Sequence, residues 1–571
     1  MRTERSKLTD LDSTNDEEKI VRIVQNCVSE SFANQDKWAQ RAKRNIQYFV
    51  GNQWLTDDGS IDESSPAWRF RTQLNLVFSN LMTICSAGLD ARPRVYYSAD
   101  NDEEKTYATA LTDIVDSYQE ARMEEWMIYN ILLWLTTTGI AWRKHTWDFV
   151  QNKPAAHIVD SWDVGVDPEG KLPDCGDHNY LVHTQEIDAD IIARKYNVDE
   201  DELIQYADKD ESEGWLARRL FRRGSVANKS KGFRPKVEIH ELWYFGQTHV
   251  EFISDRKPSK ALKHPEGRAF TICNDKLIYK KENTYNHGRF PLVPYHGCTA
   301  PSGFLGFGIV DQLVPIQFAI NVLMSQYIMG CILMANPQWQ AEEGAITEGL
   351  LTNEPGLVIP VAPGQMGNIQ QVPGVAPPSG VLNVVNELLM FAERVSNVSE
   401  VMQGRQPGAN TSGIAIAGLQ QAAMLIVRQI MRWFEGSHKI AAIIEAENIQ
   451  QFFFPMDPTE MGEMSLGEWY QWQEGVRSLT FDVTIQSMSE LPRNMEGRLS
   501  FGFQMLEAGV FDVEEFLDFT RISISERLRE KLTAPMPQLG GGMLPTAGGG
   551  GGMSPAALQG LPQNFGQGAA A

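Results

Sequence analysis

The sequence predicts an α+β fold that is predominantly α. Three observations carry this expectation. Apolar residues recur at helical spacing in the segments 16–50, 70–90, 102–138, 308–335, 379–403 and 412–454. The stretch 140–300 changes character and alternates short β-rich runs with turns. The chain has 571 residues, too many for one core, so several packed modules are expected.

The first helix follows from Ile20, Ile23, Val24, Cys27, Val28 and Ser31, and Gly51 ends it. The second, 70–90, stops before Arg92-Pro93, because the residue before proline avoids the helical region. The third is read as one long aromatic-rich helix over 102–138, broken by Gly139. Strand-like runs are expected at 155–159, 180–185, 237–245 and 270–279. Among them lies a charge-segregated insert, 199–236. It is acidic from Asp199 to Glu213 and basic from Arg218 to Lys236. It reads as a solvated helix and loop, as a salt-bridging element between copies, or as a contact to nucleic acid.

The helix at 308–335 is unusual: from Gln312 to Ala341 there is no charged residue. That length would cross a bilayer. However, Gln317, Asn321 and Ser325 recur every fourth residue and form one polar stripe, which suits a helix surrounded by protein or lining something wet. Residues 336–378 are rich in Pro and Gly, with a strand expected at 357–361. The helix at 379–403 is preceded by Pro377-Pro378, can be capped by Ser379 and is expected to end at Gly404. Its seam of Val381, Val385, Leu388, Ala392, Val395, Val398 and Met402 advances by threes and fours, as helix–helix packing requires. A loop, 404–413, precedes the helix at 412–454, on the order of 60 Å long, with a bend expected at Gly436. A strand at 480–486 follows, and Asp512 with Glu515 forms a capping-box pattern. Beyond Lys531 there is no charge, and the Gly/Pro-rich composition predicts a disordered tail over 534–571.

The formal net charge is −22 with pI about 5.0, so the surface as a whole cannot grip phosphate. Six scattered cysteines with no C-x-x-C pair read as reduced thiols. The polar segment 1–19 lacks the apolar core of a secretory signal. A search for chemistry returns little. Gly165, Gly170 and Lys171 stand at P-loop spacing, but Leu172 replaces the magnesium-binding hydroxyl and Pro173 follows. His178 and His183 lie near Asp174 and Asp177 without metal spacing and read as surface histidines. The carboxylate pairs Asp160/Asp163 and Asp188/Asp190 read as turn and cap features. The reading is a non-enzymatic chain with no cofactor and no metal.

The order of segments resembles a known family. Tyr48-Phe49-Val50-Gly51-Asn52-Gln53-Trp54, then Gln73-Leu74-Asn75 and Arg92-Pro93, resemble the opening of tailed-bacteriophage portal proteins. So do the Asp163-to-Pro168 strand end, the run Phe290-Pro291-Leu292-Val293-Pro294, and Gly306-x-Gly308 followed by Gln317, Asn321 and Ser325. The segment Thr411-Ser412-Gly413-Ile414-Ala415-Ile416 is similar to the start of the family's long helix.

The resemblance runs from about residue 40 to 455 and points to the podovirus-like portals. It implies a portal fold. On that map, after an N-terminal arm at 1–19, residues 20–305 are the wing and 306–335 and 379–403 the stem helices. The clip is 336–378, the tunnel loop 404–413, the return to the wing 414–492, and the helical crown 493–533. It implies a ring homo-oligomer, usually a dodecamer, at one capsid vertex of the virion, assembled in the host bacterial cytoplasm. Double-stranded DNA would pass through it in packaging and ejection. Implied partners are the terminase large subunit, head-completion and tail adaptor proteins, and the major capsid and scaffolding proteins, with no membrane. Gln403, Arg405, Gln406, Asn410, Thr411 and Ser412 would line the channel at the tunnel loop. Gln317, Asn321, Ser325, Val385, Leu388 and Val395 would pack the stem against neighbouring copies. The alternatives are another virion structural protein, of the tail or scaffold, or a membrane-anchored protein.

Overall fold

The computed structural model describes residues 8, 11, 15–56, 61–62, 70–90, 93–207, 236–246, 267–335 without 274, 283 and 302, 339–341, 369–371, 380–398, 402, 424–453, 474–487, 502–503 and 505–506. The chain forms two compact units, Met1–Glu490 and Leu491–Ala571. In the second, residues 502–503 and 505–506 are described, and both pairs are helical.

The first unit is organised along α1 (Glu17–Val50), whose 34 residues span about 50 Å. Three successive stretches of this helix enter three cores. Ile20, Ile23, Val24 and Cys27 lie on Val182, Leu242 and Phe270 of a sheet. Trp38 and Ala42 meet Ile140 and Trp142. Tyr48 joins Val77, Leu81 and Leu313. Gly51 adopts φ +96° and ends the helix by donating its N–H to the carbonyls of Gln47 and Tyr48, a left-handed turn that glycine makes at no steric cost.

After α2 (Leu76–Asp90) the chain makes β1 (Pro93–Ser98), α3 (Asp102–Ala121), α4 (Glu124–Thr138) and β2 (Ile140–Asp148). Next come β3 (Lys153–Val159), β4 (Val164–Val166), β5 (Tyr180–Asp188), α5 (Ala189–Tyr196) and α6 (Glu200–Ala207). The strands β6 (Lys236–Tyr244), β7 (Arg268–Cys273), β8 (Lys276–Glu282) and β9 (Leu292–His296) follow. The order then runs α7 (Val310–Ala335), β10 (Trp339–Ala341), β11 (Ile369–Gln371), α8 (Gly380–Ser396), α9 (Leu425–Phe452) and β12 (Asp482–Ser487). One antiparallel sheet is β4-β5-β6-β7-β8, a second is β3-β2-β9, and β1 pairs with β12. Helix α9 lies on β9, α2 and α4, where Val427, Ile430, Met431 and Phe434 pack with Ile84, Ile131, Leu135 and Tyr295.

Several expectations are corrected. The segment 102–138 is two helices, parted at Met123 with φ +55°. The second helix begins at Leu76 rather than 70; residues 70–75 are not helical, and the amides of Thr72 and Leu74 go to side chains of α7. The run 270–279 folds as the hairpin β7–β8. Helix α8 ends at Ser396, with Asn397 at φ +54°, well before Gly404. Gly436 lies within α9, as the reading of one helix running through it requires. Strands β1, β2 and β9 escaped the alternation test; β2 carries Arg143-Lys144-His145 at its centre, all buried. The expected strand 357–361, residues 412–423 of the long helix and the Asp512 capping box lie outside the described residues. All six cysteines are free thiols, as expected.

The buried cations of β2 explain both the missed strand and the split helix. Arg143 donates to both oxygens of Glu124 at 2.5 and 2.7 Å, and Arg122 bridges Glu124 to Glu445 of α9. On the other face of the sheet Lys144 donates to both oxygens of Glu241 at 2.8 Å. A buried ion costs several kcal/mol in desolvation, so each charge here is held only by its partner. Burial alone would raise the carboxyls of Glu124 and Glu241; the cations around them outweigh it and hold both at about 2. Burial also keeps His438 and His157 neutral, pushed down to about 4.

In every one of these groups the unfolded chain takes up protons that the folded chain refuses, so stability falls as pH drops. The loss starts near the ordinary histidine value of 6.5, runs to about 4 for the histidines, and continues from 4.5 toward about 2 for the carboxylates. Urea melts of the protein between pH 8 and pH 4 will show a monotonic fall in midpoint. Glu124→Gln leaves Arg143 without its counter-charge and is expected to cost about 3–5 kcal/mol at pH 7; an unchanged midpoint would remove this network from the account of the fold.

Candidate assembly site at the base of two apolar helices

The polar stripe of α7 (Val310–Ala335) is satisfied inside the chain. Segment 72–76, which leads into α2, runs beside it antiparallel to the helix. Leu76 N–H donates to Gln317 Oε1 at 3.0 Å, Leu74 N–H to Asn321 Oδ1 at 3.3 Å, and Thr72 N–H to Ser325 Oγ at 2.9 Å. Gln317 Nε2 returns a hydrogen bond to the Leu74 carbonyl at 2.6 Å. The match is metric. Four helical residues rise about 6 Å, and every second amide of the segment meets one polar side chain per turn.

The knot extends into the Tyr48–Trp54 motif. Asn321 Nδ2 donates to Gln53 Oε1 at 2.6 Å, and Gln53 donates to the Tyr48 carbonyl and to Asn75 Oδ1. Asn75 in turn holds the Phe49 carbonyl and the Phe78 amide. Residues that the sequence showed as separate motifs are therefore one joint. Gln317, Asn321 and Ser325 are buried there, at 2%, 1% and 6% exposure. This corrects the expectation that they face neighbouring copies: a segment outside any helix or sheet ladder uses their donors and acceptors.

The direction of α7 is set by a second contact. Gly139 has φ +89°, and a Cβ there would lie 2.2 Å from the Phe307 nitrogen. A Cβ on Gly308 would lie 2.2 Å from the Thr137 carbonyl. The Gly306-x-Gly308 motif is thus a close backbone crossing between the α4–β2 turn and the start of α7. Arg41 and Arg44 of α1 flank it and reach Asp311 at 3.4 Å.

Past Ser325 the chain covers α7 poorly. No residue of 326–334 with a described side chain is buried, and the run includes Tyr327, Ile328, Met329, Ile332 and Met334. On α8 (Gly380–Ser396) Val385 and Ala392 are buried, Leu388 is half-buried and Val395 is 42% exposed. At about 100° per residue, Val385, Ala392 and Ser396 form a narrow buried ridge. Val384, Phe391 and Val395 lie on one flank and Leu382 on the other, all exposed. Fully burying such a side chain is worth about 1.5–3 kcal/mol, so both flanks gain from a partner. Between the helices β10 pairs antiparallel with β11, which closes the intervening loop at its root.

The other candidates fall into place around this joint. The P-loop-like run holds a protein carboxylate: the amides of Lys171 and Leu172 donate to Asp177 at 2.8 and 3.0 Å. Burial raises the Asp177 carboxyl, but those amides prevail and keep it below its ordinary value. His178 and His183 are buried, not on the surface. His178 lies beside Asp177 at 3.0 Å and packs on Phe304, while His183 sits by Lys144. Among the described residues no group of three or more His, Cys, Asp and Glu could hold a metal ion. Gln403, Arg405, Gln406, Asn410, Thr411 and Ser412 lie outside the described residues, as does 208–235 of the charged insert.

Replacing Asn321 by Leu orphans the Leu74 amide and one contact of Gln53, at about 1–3 kcal/mol per buried group. Chemical denaturation should therefore show a loss of roughly 2–4 kcal/mol for Asn321→Leu and about 1 for Ser325→Ala; the reverse order would contradict the joint.

Comparison with curated proteins finds no match. The family model of the phage P22-like portal proteins matches residues 27–455, a span that contains the Tyr48–Trp54 motif, the Gly306–Gly308 crossing, the polar stripe and both apolar helices. The chain belongs to the phage P22-like portal protein family.

Proposed function

We propose that this phage portal protein is one subunit of a closed ring at a single capsid vertex, through which double-stranded DNA enters during packaging and leaves during ejection. The observation that carries the ring is the pair of uncovered apolar flanks on α8, one on each side of its buried ridge. A head-to-tail ring gives every subunit two neighbours and would cover both flanks with the same contact repeated. The absence of charge from Gln312 to Ala341 fits, because like charges would otherwise meet their own copies around the ring.

In this reading α7 and α8 form the stem and 336–378, rooted by β10–β11, the clip. The wing is 20–305, the tunnel loop 404–413, and the crown 493–533. The terminase large subunit docks on the clip, and head-completion and tail adaptor proteins, capsid protein and scaffold meet the assembled ring. The net charge of −22 supports a conduit that DNA passes without adhering, with Arg405 among few cations facing it. No catalytic step is assigned to the chain, in keeping with a structural family.

A membrane reading has one observation behind it: Val310–Ile332 is long and apolar enough to cross a bilayer. The burial of Gln317, Asn321 and Ser325 by the chain's own 72–76 segment favours a protein-packed helix instead.

Negative-stain images of the purified protein should show rings with a central hole. Phe391→Asp, on an exposed flank, should leave the subunit's unfolding free energy within about 0.5 kcal/mol of the parent's yet abolish the rings in sedimentation. Arg405→Glu should form normal rings and change the rate of DNA passage in a packaging assay; an unaltered rate would remove that residue from the constriction.

A further inference from the structure

Two features on opposite sides of α9 (Leu425–Phe452) fit one another. The first is the corner between α3 and α4. Met123 is held there in the left-handed region, φ +55° and ψ +57°, a conformation that unbranched side chains adopt only when their surroundings impose it. Its neighbours impose it. Arg122 and Glu124 turn inward, Arg122 to Glu445 and Glu124 to Arg143, which leaves Met123 and Trp126 outside. Met123 is 68% and Trp126 58% exposed, among the exposed carboxylates Glu120 and Glu125.

The second feature is a cleft of about 710 Å³ where α9 faces the loops 171–174 and 296–304. Phe304, Trp433 and Ile440 supply apolar walls. Lys171 and Arg432 stand at its rim with a single carboxylate, Asp174. Gly436 opens it: a Cβ built there meets no atom within 4 Å. Glu445, which anchors the corner, follows Gly436 by nine residues and so lies about 180° round the helix.

We propose that the Met123–Trp126 corner of one copy seats in the Phe304–Trp433–Ile440 cleft of the next copy, with Glu120 and Glu125 against Lys171 and Arg432. The inference rests on the ring reading and deepens it by naming a contact in the wing, remote from the stem helices. An exposed acidic aromatic knob and a basic-rimmed apolar hole on opposite faces are what a head-to-tail contact between identical chains requires. A tryptophan in a pocket ringed by complementary charge is also the usual composition of an interface hot spot.

The test uses full-length protein and sedimentation velocity. Trp126→Ala removes the knob, and Gly436→Phe fills the cleft. Both should keep the parent's thermal transition, and each should need about tenfold more protein to form rings, equivalent to about 1.4 kcal/mol. Mixed together, the two variants retain one competent contact, the knob of Gly436→Phe in the cleft of Trp126→Ala. They should give heterodimers at concentrations where each alone is monomeric. Glu125→Arg and Arg432→Glu should each weaken assembly, and the double variant should recover it. Rings from both single variants at the parent's concentration, or a mixture that stays monomeric, would overturn the contact while leaving the ring intact. A parent protein that forms no ring would overturn the ring reading itself.

Discussion

The hydrogen-bonded match between the strip 72–76 and one face of α7 is the constraint on which the rest of the molecule depends. A helix without charge from Gln312 to Ala341 gains little from pointing in any one direction in water. The strip removes that freedom. Each polar residue on α7 finds one backbone amide, and the amides have no other ladder to join. Because Gln53 and Asn75 complete the same knot, the end of α1, the start of α2 and the first half of α7 move as one body.

A second constraint acts around β2. Buried charge is costly, and this chain places Arg143, Lys144, Glu124, Glu241 and Glu445 within its core. Every one is neutralised by a residue distant in sequence. Such pairs add little net stability compared with apolar packing, but they penalise any arrangement that separates the partners. The network thus sets which face of β2 meets α4 and which meets the five-stranded sheet. It also breaks the helix at Met123 and turns two apolar side chains outward. A device for registering the core becomes a device for shaping the surface.

Rigid base and uncovered flanks fit the work of a portal. In the proposed ring a conduit for DNA would have to keep its bore under axial load, and the base of α7 is held by hydrogen bonds and close glycine crossings. The part of α7 beyond Ser325 and the flanks of α8 leave apolar surface uncovered, which the proposed ring would bury between copies. In that reading stability would be shared between the fold and the assembly, and both would depend on the direction in which α7 leaves the rest of the subunit.

Periodicity alone was enough for α1 and α7, because helical spacing of apolar residues is a local property; on α8 it found Val385 and Ala392 but also took in Val381 and Leu388, which are half-buried, and Val395, which is exposed. Gly51 as a stop and the burial of the stripe by protein were legible for the same reason. The stripe's partner was not legible: a four-residue repeat shows that polar groups line up, not whether a neighbouring copy or the chain's own strip meets them. The strand β2 was hidden because Arg143-Lys144-His145 is polar by composition and is buried only through Glu124 and Glu241, which lie elsewhere in sequence. The corner at Met123 was hidden because nothing local breaks that helix; the pull of Glu445 across 323 residues does. Local sequence determined where the chain turns helical and apolar. The tertiary structure decided which polar groups meet, since hydrogen bonds and ion pairs are made between segments whose proximity only folding creates.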